Sequence, residues 1–172
     1  KLYFRSWINF EFLTNPGAST PNEAGVRTAL IGSLWVILIT VAFAFPIGVG
    51  AAIYLEEYAS RSRLNQIIET NVRNLAGVPS IVAALFIYAV WRTTFDLPRS
   101  GFVVSLALVL LMAPIVVRST EEMLKLVPND LREASYALGV PRWRTITRVV
   151  LPTAFTGIIT GIMLAVARVM GE

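Results

Sequence analysis

Four stretches of the chain carry no charged residue: 28–55, 74–91, 100–117 and 149–167, each of 18 residues or more. A helix needs about 20 apolar residues to cross the hydrocarbon core of a bilayer. The pattern therefore predicts an all-α, polytopic transmembrane helical bundle with four spans. The first span covers about 28–55 and contains Pro46 and Gly48, so a kink is expected there. The second covers about 74–92, with Gly77-Val78-Pro79-Ser80 near its start. The third covers about 101–117 and continues helically to about Leu126, and the fourth runs from about Thr153 to the end. Between them lie a polar loop at 56–73, a short turn at 93–100 and a long loop at 118–152. Residues 1–27 mix Tyr3, Phe4, Trp7, Phe10 and Phe12 with the turn formers Asn15-Pro16-Gly17 and Pro21-Asn22. Aromatic rings favour the headgroup level, so 1–27 reads as an external or interfacial segment and 28–172 as the transmembrane domain.

Basic residues set the orientation. The loops 56–73 and 118–148 together hold nine Lys or Arg, against five in 1–27 and around the short turn. The positive-inside rule places the long loop in the cytoplasm and 93–100 outside. Within the long loop the signals read helix, turn, helix. Asp130 is positioned as an N-cap, with Glu133 reaching back in a capping box. Gly139 suits the left-handed position that ends a helix, and Pro141 the first turn of the next. Arg142, Arg144 and Arg148 make that second helix basic. A hairpin of this kind stands in water, offers a surface, and is stiff enough to transmit a push.

Composition agrees with lipid as the main solvent: 55% of residues are hydrophobic and 15% charged, where soluble domains have about a quarter charged. Cys and His are absent. Disulfides, thiol nucleophiles, most zinc, haem and copper sites and the usual general base are thereby excluded, so no cofactor, metal or catalytic residue is expected. No G-x4-GK[ST] phosphate loop occurs, so any ATP hydrolysis belongs to a partner. Nothing points to nucleic acid. The chain starts at Lys1 without Met, shows no signal-peptide pattern, and stops in or at the end of an apolar helix. The expectation is a fragment with further chain on both sides.

The run Glu133-Ala134-Ser135, then Gly139, then Leu151-Pro152 resembles the EAA loop of bacterial ABC-importer permeases, with Ser135 in place of the second Ala and Val149 in the usual Ile place. Three more stretches resemble permeases of the phosphate-specific transport system: AAIYLEEYA at 51–59, NLAGVPSIV at 74–82 and ARVMGE at 167–172. NEAGVR at 22–27 looks more like the A-type than the C-type subunit. The resemblance extends over most of 25–172. It implies a permease fold of about six helices, of which the first and last are missing here. It also implies a second, different permease subunit, two copies of an ATP-binding ABC subunit, an external phosphate-binding protein, inorganic phosphate as cargo, and a bacterial inner membrane. The alternatives are a C-type phosphate subunit, a permease for another anion, a membrane anchor or scaffold, and an integral membrane enzyme. The last is opposed by the missing His and Cys and by the lack of paired carboxylates inside any span.

By the same resemblance Glu133, Ala134 and Gly139 dock on the ATPase; the plainer reading makes them helix punctuation in a solvated loop. Arg142 and Arg144 read as positive-inside or lipid-headgroup residues, and Arg118 as an anchor. Arg168 and Glu172, four apart, share a helix face at the far end of the last span. One reading is a snorkelling surface pair. The other follows from the cost of intramembrane charge and from the matching Arg-x-x-Gly-Glu stretch of the phosphate permeases: the pair lines the substrate path, with the guanidinium fork suited to phosphate oxygens. Gly77 and Pro79 read as a packing kink, whose helix N-terminus would also attract an anion.

Overall fold

A computed structural model describes residues 10–17, 25–60, 62–95 and 100–171, and all regular structure among them is helical. The elements are α1 (Phe10–Thr14), α2 (Arg27–Tyr58), α3 (Arg63–Ala76), α4 (Ser80–Thr94), α5 (Gly101–Lys125), α6 (Asn129–Ala137) and α7 (Arg142–Met170). Three helices, α2, α5 and α7, are long and apolar enough to cross a membrane; counting the bent pair α3–α4 as one span gives four. The expected residues Tyr3, Phe4, Trp7, Pro21 and Asn22 lie outside the described residues. The segment next to them folds back on the start of α2 through Gly25 N–H to Pro16 O and Val26 N–H to Phe12 O, both 3.0 Å.

The core is the seam where α5 packs between α2 and α7, built from Ala44, Met112, Val116, Leu124, Val150 and Ile158. Helices α2 and α5 run parallel. Thr40 Oγ1 donates to Ser105 O at 3.4 Å, and further along the backbone of Gly48 lies against Val116 and Ala113. A Cβ at Gly48 would stand 2.7 Å from Val116 Cγ1, so only glycine permits this approach. Lipid gives little reason for apolar helices to associate, and close packing at small residues supplies much of that drive. Helix α7 runs antiparallel to α5, with Gly157 against Met123 and Gly161 against Ser119.

Three expectations need correction. The second span is not one helix over 74–92. The segment 63–76 inside the supposed loop is already helical, and α3 meets α4 at 109°. Pro79 has no N–H and pushes Val78 out of helical geometry, so the chain turns sharply there. The fourth span does not begin at Thr153: α7 is continuous from Arg142, so the basic half of the hairpin and the span are one element. A π-helical turn at Ile146–Val150 precedes Pro152, where the missing N–H leaves the carbonyl of Arg148 without its usual donor. Finally, the capping box does not form. Helix α6 begins at Asn129 after Pro128, with no side-chain cap, and Asp130 sits in the first turn, where it complements the helix dipole.

Candidate functional site

Helix α6 ends where Gly139 takes φ +73. Gly139 N–H donates to Tyr136 O at 2.9 Å and Val140 N–H to Ser135 O at 3.2 Å, the paired bonds of a Schellman motif. Within the run Glu133-Ala134-Ser135, Glu133 and Ala134 are exposed. Ser135 points inward, and its hydroxyl meets that of Thr145 at 2.8 Å, both buried. The outer surface of the hairpin carries Leu131, Ala134, Leu138 and Trp143, with Leu138 83% exposed. The expected docking residues thus lie together on one outward face, on a turn closed by its own hydrogen bonds.

The inward side of α6 is held by a cluster of charges. Glu57, at the end of α2, is only 5% exposed. Its Oε1 accepts from Arg132 Nη2 at 2.9 Å. The same guanidinium donates to Leu124 O (2.9 Å), Val127 O (3.1 Å) and Asn129 Oδ1 (3.0 Å). Arg142 donates to the carbonyl of Glu57, and its guanidinium lies 5.3 Å from the centre of the Tyr58 ring. Lys125 Nζ stands 3.5 Å from Glu56 Oε2. Arg142 therefore has a specific partner within the chain, and Arg118 pairs along its own helix with Glu121 at 3.4 Å. Sequence reasoning did not single out Glu57, Arg132 or Thr145. One signal was present: Glu56-Glu57 closes an apolar helix, where carboxylates oppose the helix dipole and need cations nearby.

Arg168 lies elsewhere, on α7. With Leu75, Ala76, Val78, Ser80, Leu111 and Ile115 it lines a small open cleft, about 20 Å³, at the α3–α4 elbow. The antiparallel register set by Gly157 and Gly161 brings it level with Leu111, near the middle of α5. Arg168 stands in the last turn of α7, at the far end of that span as expected, while α5 continues past Leu111 to Gly101, about 15 Å further at 1.5 Å per residue. Glu172 lies outside the described residues, so its pairing with Arg168 is not described.

Residues 44–172 match the family described as "Binding-protein-dependent transport system inner membrane component". The chain belongs to this family. Among relatives of this transport component, the "Phosphate transport system permease protein PstA 1" of Mycobacterium tuberculosis is 53% identical over 148 residues, covering 86% of the chain and 48% of that protein. The PstA permease of Yersinia pestis is 45% identical over 184 aligned positions, covering 99% of the chain and 62% of that protein. The chain thus spans about half to two thirds of the length of these relatives. The inward-facing MetNI methionine ABC transporter shares the fold, with a TM-score of 0.74 at 20% identity over 85% of this chain and 72% of that one.

Proposed function

We propose that this chain is part of the A-type membrane subunit of an ATP-driven phosphate importer in a bacterial inner membrane. The observation that carries the reading is the 45% identity to a phosphate transport permease across 99% of the chain. Two features support the roles of particular residues. The outward face of α6, with Glu133, Ala134 and the Gly139 turn, is exposed yet held rigidly from behind, as a surface that receives force from an ATPase must be. Arg168 stands in an open cleft near the middle of α5, where a guanidinium can exchange water for phosphate oxygens. The chain carries cargo and leaves hydrolysis to an ATP-binding partner. A second, C-type permease subunit and an external phosphate-binding protein complete the system. The excess of basic residues around α6 puts that end in the cytoplasm.

The test uses the full-length parent protein, purified from its own membranes. Expected are co-purification of an ATPase and a second permease, and ATP hydrolysis stimulated by phosphate-loaded binding protein but not by sulfate. Stimulation by sulfate alone would reassign the cargo, and absence of an ATPase would overturn the class.

A further inference from the structure

We propose that Glu57 is a positioning residue which, through Arg132, locks the docking helix α6 to the ends of α2 and α5, so that displacement of α6 is delivered to the spans. The inference rests on the reading of α6 as the ATPase-docking element.

Glu57 is a poor choice for the stability of α2 by itself. It sits in the last turn, where the dipole favours cations, and it is buried, where a carboxylate loses hydration. Its placement makes sense as half of a joint. Arg132 alone caps α5 by donating to Leu124 O and Val127 O, and it holds the start of α6 through Asn129. Adding Glu57 Oε1 as a fourth acceptor turns that cap into a bridge between three helices. Without it, only the links 126–128 and 138–141 and the contacts to α7 would hold α6 in place. On the far side, Ser135 with Thr145 and Arg142 with the Glu57 carbonyl close the same joint onto α7. A planar, forked cation can serve four acceptors in fixed directions, whereas an ammonium cannot reproduce that geometry. The joint lies on the side of α6 away from Glu133 and Ala134, so it transmits without forming the docking surface.

This predicts a loss of coupling with docking retained. The complete complex, with its binding protein, is reconstituted in proteoliposomes as wild type, Glu57→Asp and Arg132→Lys. Both variants keep the charges and change only reach and geometry. ATPase retained, ATP hydrolysed and phosphate accumulated are measured for each. Expected is near wild-type ATPase retention and hydrolysis, with phosphate per ATP reduced severalfold. A role in charge compensation alone would leave both variants coupled, and a wild-type ratio in Arg132→Lys overturns the proposal even if Glu57→Asp does not assemble. Uptake falling only in proportion to lost ATPase also overturns it, since the pair would then serve docking. Failure of the wild type to retain an ATPase would instead overturn the docking reading.

Discussion

Arg168 is an exposed cation in the last turn of α7, beside the α3–α4 elbow, and its charge makes it the most informative single residue of the chain. At a membrane surface either Arg or Lys would snorkel to the headgroups equally well. In the substrate-path role proposed above, its partner beside the α3–α4 elbow is a cargo anion, and the fork matters. Arg168→Gln, which removes charge with little change of volume, is therefore expected to abolish most phosphate uptake while the complex still assembles. Arg168→Lys is expected to restore only part, because an ammonium lacks the fork. Radiolabelled phosphate uptake, normalised to assembled complex, decides the matter: full activity in Arg168→Gln leaves the residue structural. Its charge was plain in the sequence. Its level along α5 was not, because that comes from the register of α7 on α5, set by close approaches at Gly157 and Gly161.

At the scale of the element, the hairpin shows what local signals can and cannot specify. Gly139 was legible as the end of a helix because few residues other than glycine enter the left-handed region cheaply. Space is not the constraint at this position, since a Cβ would meet nothing within 4 Å. Conformation alone sets the cost, about 1–2 kcal/mol for an ordinary side chain. Gly139→Asn, which tolerates that region, should retain the ATPase almost as wild type does, and Gly139→Trp should lose much of it with the subunit still in the membrane. Co-purification of the ATPase with each variant measures this, and equal retention in both would remove the turn from the docking role. The start of α6 was less legible. Asp130 and Glu133 have capping-box spacing, but the helix starts after Pro128, two residues earlier than that box requires. Gly77 and Pro79 were visible as a break, while the 109° bend depends on α3 packing against α5 as well as on local chemistry.

For the whole molecule, orientation rests on nine basic residues against five. Residues 1–172 contain no Cys, so labelling at a single introduced cysteine has no background from them. Asp130 and Thr94 are both exposed and stand in the segments assigned to opposite sides. In intact cells Thr94→Cys should react with an impermeant maleimide, and Asp130→Cys should react only after permeabilisation. The reverse pattern inverts the topology and moves α6 away from any cytoplasmic ATPase.

The sequence by itself determined the solvent of the chain and the placing of its charge-free stretches. Hydrocarbon tolerates few charges over a span, and that demand is written residue by residue. It also determined the Gly139 turn, which depends on the backbone freedom of one residue. Only the tertiary structure decided that Glu57, Arg132 and Arg142 meet, that Ser135 faces Thr145, and that Arg168 lies beside the elbow between α3 and α4. Arg142 and Glu57 alone are 85 positions apart, and these meetings follow from how long helices slide and turn on one another. A helical face can be read from spacing along one helix, but the level at which it meets another helix is set by packing between the two.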